Sequence, residues 1–225
     1  CVEVCHDQGV DFLELKEKNN FYQVYPSQKY SKDCIYCGQC LIRCPAGAFE
    51  AVGEFEDIDK VFKKTCLPAG RNKTIVFQFA PAIRSSLGEE FGYEAGKITT
   101  GKIVTALRKI GADKVFDTCV GADFTTTSEA EEVIQRIKKN KRLPVLTSCC
   151  PSWVRFIELN YPEFIPNLST TKSPQVILGG LIKTYWAKKE GIDPKKIIVV
   201  SVMPCIAKKY EISRRQLKVK GLNPV

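Results

Sequence analysis

From Thr74 onward, short apolar runs alternate with stretches of helical period. Thr74-Ile-Val-Phe-Gln-Phe79, Lys114–Cys119, Pro144–Ser148 and Lys196–Val202 predict four strands. Between them the pattern predicts helices over Pro81–Glu89, Gly101–Ile110, Ser128–Lys139, Pro151–Tyr161 and Ser173–Lys189. Ile103, Ala106, Leu107 and Ile110 share one face of the second of these. Strands separated by helices imply parallel pairing with right-handed crossovers, an α/β fold with helices on both faces of the sheet. Residues 51–73 read as a short helix and a Pro/Gly-bearing connector, which places a domain boundary there. The expected units are therefore 1–50, the connector 51–73, and 74–225. Cys66 lies in the connector with no partner at metal spacing and reads as a solvent-facing or half-buried thiol.

Two cysteine segments follow apolar runs. Cys149-Cys150 comes after Leu143-Pro-Val-Leu146 and just before the helix opened by Pro151; Met203-Pro204-Cys205 comes after Ile197–Val202. Ligands collect at the C-terminal edge of parallel sheets, where helix N-termini also point. Adjacent cysteines project differently, so one can ligate while the other stays a thiol, and two strand-end sites in one sheet suggest a shared cofactor. In the N-terminal unit, Cys34-x-x-Cys37-x-x-Cys40-x-x-x-Cys44-Pro45 is a bacterial ferredoxin run, expected within a small α+β iron–sulfur domain. Cys1-x-x-x-Cys5 has the spacing that ends an earlier run. Because the fourth cysteine of each run serves the other cluster, Cys34, Cys37, Cys40 and Cys5 form one complete set. Cys1 and Cys44 belong to a second set whose remaining ligands lie upstream. A zinc ribbon is a minor alternative for the complete run, and His6 reads as a surface residue or one behind the ligands.

Eleven cysteines with a single histidine favour iron–sulfur clusters over zinc and over a secreted disulfide scaffold. The formal charge of +9 comes from lysines spread over the whole chain, the densest run being Lys138–Arg142 at an expected helix end, so a solvated surface is favoured over nucleic-acid binding. Thiolate clusters would offset part of that charge, and an acidic electron carrier would be attracted by the rest. No apolar run approaches the roughly 18–20 residues of a membrane span. Cys1 stands where an initiator Met would, so the chain reads as a piece of a longer protein. The expected location is cytoplasmic, with the periplasm left open.

Thr147-Ser-Cys149-Cys150-Pro-x-Trp153 and Met203-Pro-Cys205-x-x-Lys208-x-x-Glu211 closely resemble the first two active-site signatures of the iron-only ([FeFe]) hydrogenases. The ferredoxin run, Phe79-Ala80-Pro81, Gly121-Ala122-Asp123 and Ser173-Pro174-Gln175 extend the likeness over nearly the whole chain. The resemblance implies a catalytic subunit that reversibly reduces protons to H2, exchanging electrons through 4Fe-4S clusters with a ferredoxin-type carrier or another redox subunit. It implies the H-cluster, a 4Fe-4S cubane joined to a di-iron unit carrying CO, cyanide and an azadithiolate. Carried over by motif, Cys150 and Cys205 ligate the cubane and Cys149 is a free, proton-relaying thiol. Lys208 hydrogen-bonds a cyanide, Met203 packs beside the di-iron unit, and Ala80, Pro81, Ala82 and Gln175 line the cofactor. The implied proton path is Cys149, Glu129, Ser169 and Glu132, with Arg136 near its outer end. Glu129 is then expected to be buried, with a pKa raised by desolvation. Without the resemblance, Glu132 and Arg136 read as an ordinary surface pair.

The family's third signature, with two more cysteines, is not reached by Val225, so the fragment alone is expected to be inactive. Ala82 stands where some members have serine; Cys119-Val120 replaces Asn-Phe, with Cys119 read as a small buried apolar residue; Thr126 and Thr127 replace bulkier residues. The alternatives are a hydrogenase-like iron–sulfur assembly protein of the Nar type, and an H2-sensing or electron-bifurcating subunit with the same core. Relatives of the Nar type generally retain one cysteine of the adjacent pair, which the intact Cys149-Cys150 argues against.

Overall fold

A computed structural model describes residues 1–28, 33–51, 53–65 and 73–225. Cys66 and part of the predicted connector lie outside the described residues. The N-terminal unit pairs a short helix, α1 (Val2–Asp7), with an antiparallel hairpin of β1 (Leu13–Lys18) and β2 (Phe21–Pro26). Asn19 and Asn20 turn the hairpin in the left-handed region (φ 55° and 63°), which asparagine tolerates and a two-residue hairpin loop requires. The single turn α2 (Gln39–Ile42) lies inside the ferredoxin run and packs on α1.

Helix α3 (Phe55–Thr65) leads towards β3 (Thr74–Phe79), β4 (Lys114–Asp117) and β5 (Ile197–Val202). These three strands form one parallel sheet in the order β4-β3-β5, with Val76 opposite Lys114 and Val199. Both faces of the central strand are covered, which is why its sequence is nearly continuously apolar. On one face Ile75, Phe77 and Phe79 pack with Ile83 of α4 (Ile83–Ser86) and with Ile103 and Leu107 of α5 (Thr100–Lys109). Phe62 of α3 stacks on Phe77 on that same face. On the other, Val76, Ile197 and Val199 meet Leu178 of a helix that starts at Pro174. The α/β architecture with helices on both faces is as predicted.

Three segments differ from the sequence expectation. Strand β4 stops at Asp117, whose carboxylate accepts the Cys119 amide at 2.9 Å and turns the chain into α6 (Cys119–Lys139). That helix begins at Cys119 rather than Ser128, so Cys119 opens a helix instead of ending a strand. Of the helix predicted over Pro81–Glu89, only α4 is α-helical, followed by a 3-10 turn over Glu89–Phe91 that Gly92 ends at φ 74°. Pro144–Ser148 is not a strand of the sheet. Leu146 bridges Leu168 instead: its amide donates to the Asn167 carbonyl at 3.0 Å and its carbonyl accepts the Ser169 amide at 2.7 Å. The predicted helices after this match α7 (Pro151–Asn160) and α8 (Pro174–Leu181), the latter continuing through a π turn (Ile182–Trp186) into α9 (Ala187–Lys189); a further helix, α10 (Ala207–Ser213), follows β5 without having been predicted.

Candidate functional site

The C-terminal ends of the sheet's strands carry the predicted chemistry. The Ala80 amide donates to the Val202 carbonyl at 3.0 Å, which brings Ala80-Pro81-Ala82 beside Met203 and Cys205. Cys149-Cys150 reaches this edge from a different direction than predicted. With Pro144–Ser148 outside the sheet, the pair is set by α7, where Cys150 has extended backbone geometry at the N-cap and Pro151 starts the first turn. Ser148 anchors the approach by donating to the Thr171 carbonyl at 2.6 Å.

Lys208 joins the two cysteine segments. It sits in the first turn of α10, its amide donating to the Cys205 carbonyl at 3.1 Å. Its Nζ donates to the Cys149 carbonyl at 2.8 Å and to the Glu211 carboxylate at 3.0 Å. Glu211 is buried, so its charge is neutralised by Lys208 one helical turn away. An ammonium has three N–H bonds and the described residues take two, leaving one for a ligand. Met203, Cys205, Lys208 and Gln175 together line a cleft of about 610 Å³. Gln175 is 2% exposed, yet neither of its amide atoms has a partner among the described residues, nor does the buried hydroxyl of Ser201, which also lines the cleft. Orphaned polar atoms of this kind call for a partner. Soft thiols, a spare cationic donor and unpartnered amide groups fit an anionic iron–sulfur cofactor.

Cys149, Cys150 and Cys205 are all exposed on this chain.

The predicted proton path divides. Glu132 accepts from the Ser169 hydroxyl at 3.1 Å, from the Thr170 amide and hydroxyl at 3.0 and 3.1 Å, and from Arg136. Burial acts to raise its pKa, but the Thr170 amide, Arg136 and the two hydroxyls outweigh this and hold the carboxyl below the usual range. Arg136 is buried, not on the surface, and also donates to the Asn167 and Leu168 carbonyls at 2.8 and 2.7 Å, tying α6 to the segment after α7. Glu129 is half-buried instead of buried, and it is outside this network. Its Oε1 is shielded from solvent without a partner among the described residues. No hydrogen bond links it or the Cys149 thiol to Ser169 among the described residues.

In the N-terminal unit, the thiols of Cys34, Cys37, Cys40 and Cys5 are close enough to influence one another electrostatically. Burial pushes Cys34 and Cys40 up, and the neighbouring thiols add to it. The amides of Tyr36 and Phe12 donate to Cys34 and Cys5, each at 3.3 Å. Four thiols at gaps of two, two and three residues suit a multinuclear cage better than a lone zinc. Cys44 lies near the amino group of Cys1, and its thiol is lowered by the Ala48 and Ala46 amides. His6 is exposed and pairs with Asp11 at 2.6 Å.

Sequence reasoning gave no role to Glu211, although its spacing of three from Lys208 on a helix is the signature of an ion pair. It also missed a cluster beside the strand ends. Arg84 donates to Asp117 at 2.7 Å and to the Cys119 sulfur at 3.2 Å, so Cys119 is a half-buried, polar-contacted thiol and not an inert apolar one.

Comparison with known proteins matches residues 73–224 to the model of the iron only hydrogenase large subunit, C-terminal domain, and residues 28–50 to the 4Fe-4S binding domain. The NADP-reducing hydrogenase subunit HndD of Solidesulfovibrio fructosivorans is 45% identical, over 85% of this chain and 32% of that protein. Iron hydrogenase 1 of Clostridium pasteurianum is 46% identical, over 78% and 30%. The cytosolic iron-sulfur assembly component 3 of Rattus norvegicus is 33% identical, over 92% and 46%. Among solved structures, the apo [FeFe]-hydrogenase HydA1 from Chlamydomonas reinhardtii superposes with a TM-score of 0.68 at 37% identity, covering 74% of this chain and 42% of that one. The chain thus spans about a third to a half of the relatives it matches. It belongs to the iron-only hydrogenase family.

Proposed function

We propose that the protein of which this chain is a part is the catalytic subunit of an [FeFe]-hydrogenase, reversibly reducing protons to H2. The observation that carries this reading is the intact Cys149-Cys150 pair bound through Lys208 to the Cys205 segment. Cys150 and Cys205 would hold the cubane part of the H-cluster, leaving Cys149 as a free thiol placed to pass protons. The H-cluster, when bound, supplies redox-active iron and a basic amine. Lys208, held by Glu211 and the Cys149 carbonyl, would offer its third N–H to an anionic ligand of that cofactor. Met203, Ala80, Pro81 and Ala82 would shape the apolar surround, and the Gln175 amide would offer its unpartnered atoms to the cofactor.

Protons enter along Glu132 and Ser169 and pass through Glu129 to Cys149. Glu132 is a heavily hydrogen-bonded carboxylate, which suits an anchor at the entrance more than a proton store. Glu129, with an unpartnered shielded oxygen, has the freedom a relay needs. Cys34, Cys37, Cys40 and Cys5 would hold one 4Fe-4S cluster, with Cys44 and Cys1 serving a second, and these clusters would supply electron exchange with a ferredoxin-type carrier. The second reading, a non-catalytic iron–sulfur assembly protein, is favoured by the likeness to the rat assembly component. H2 evolution by the matured full-length protein, driven by a chemically reduced carrier, separates the two. The hydrogenase reading expects turnover, cut at least roughly 100-fold by Glu129→Gln as for loss of a proton-transfer group. No turnover from fully loaded protein would leave the assembly reading.

A further inference from the structure

Tyr36 and Tyr210 lie outside the proposed chemistry, yet their rings stack at 4.4 Å between centroids with planes 11° apart. Tyr36 belongs to the loop between Cys34 and Cys37, where its backbone is held in the left-handed region at φ 58° and its amide donates to the Cys34 sulfur at 3.3 Å. A bulky residue adopts that backbone only where its surroundings demand it. Tyr210 belongs to α10, two residues beyond Lys208. Arg155 of α7 lies 5.9 Å from the Tyr210 ring and pairs with Asp33 at 2.7 Å, while Arg214 sits 5.8 Å from the same ring. Beside the stack, Gly38 meets Ile206 so closely that a Cβ at Gly38 would lie 2.9 Å from the Ile206 Cδ1. Three segments thus converge on one aromatic ring: the loop of the ferredoxin run, the helix after Cys150 and the helix after Cys205.

We propose that Tyr36 and Tyr210 are positioning residues, through which filling of the ferredoxin-type site by its cluster locks the helices that carry Lys208, Glu211 and Cys150. This rests on Cys5, Cys34, Cys37 and Cys40 holding a cluster, and not on the hydrogenase chemistry. The cluster fixes the Cys34–Cys40 loop, the loop fixes the Tyr36 ring, and the ring holds α10 while Asp33 holds α7 through Arg155. By linkage, a bound group that favours the docked loop must favour the docked helices by the same factor. Cluster loading of the N-terminal unit therefore prepares the second site.

The test is amide hydrogen exchange of the full-length protein under anaerobic conditions, with iron–sulfur clusters reconstituted or absent and no di-iron unit added. Iron content and visible absorbance establish loading. The expected result is at least roughly tenfold slower exchange in residues 151–160 and 207–213 on loading. Tyr36→Phe retains this slowing. Tyr36→Ala and Tyr210→Ala lose it while still taking up the cluster, and Tyr210 lies outside the ferredoxin run should Tyr36→Ala impair loading. Equal slowing in Tyr210→Ala, or none in the loaded parent protein, overturns the proposal. Because H2 turnover is not read, failure here is distinct from failure of the hydrogenase reading.

Discussion

Lys208 pairs with Glu211 while also reaching the other cysteine segment through the Cys149 carbonyl, and the value of the pair depends on burial. The Glu211 side chain is 6% exposed and that of Lys208 16%, so neither charge is well solvated if the other is lost. Removing one partner of a buried pair costs roughly 3–5 kcal/mol, and partial exposure of Lys208 puts this case at the lower end. Glu211→Ala is expected to lower the urea midpoint accordingly at unchanged slope. Glu211→Gln, which keeps an acceptor for Lys208, should lose less. Glu132 makes a prediction in pH. Its folded-state pKa lies below the ordinary 4.5, so its contribution is present above that value and drains as pH falls through the folded one. Stability measured on acidification below about pH 4.5 should therefore fall, and Glu132→Gln should flatten that part of the profile. An unchanged profile would mean that the hydrogen bonds to Glu132 are not maintained in solution.

Helices α6 and α8 are held at a separation set by one glycine. A Cβ at Gly121 would lie 2.2 Å from the Pro174 carbonyl oxygen, which is backbone and cannot swing away. Gly121→Ala should push α6 off α8, with an overpacking cost of at least about 1–3 kcal/mol seen as a lower thermal midpoint. Because Glu129 rides on α6 and Gln175 on α8, the same change should disturb both. This packing explains where the sequence was readable and where it was not. Strands β3 and β5 were legible because continuous apolar runs are what a doubly covered strand requires. The start of α6 was not, since Val120–Thr127 contains a glycine and three threonines of low helix propensity. Contact with α8 overrides that preference, and Thr125 and Thr127 return their hydroxyls to the Gly121 and Asp123 carbonyls at 3.0 and 2.9 Å. Pro144–Ser148 misled for the opposite reason: it is apolar enough for a strand, but the turn leaving Asn167 takes the hydrogen bonds of Leu146. The cysteine spacings identified the candidate ligands. They carried no information about the Lys208–Glu211 clamp, which depends on how α7 and α10 meet.

For the molecule as a whole, the fold brings together two cysteine segments more than fifty residues apart and leaves their thiols exposed. On the proposed reading, other parts of the longer protein supply the remaining ligands and close the site. The net positive charge of the chain would draw an acidic redox partner towards it, an attraction that salt weakens. The hydrogenase and assembly readings share the fold, the ferredoxin-type cysteines and the cubane ligands. They differ in whether a di-iron unit with CO and cyanide is bound at the Lys208 edge. The infrared spectrum of the matured full-length protein measures this directly. The account predicts absorption from iron-bound CO and cyanide, with the cyanide bands shifted in Lys208→Met as the N–H donor is lost. A fully iron-loaded protein with neither kind of band would contradict it.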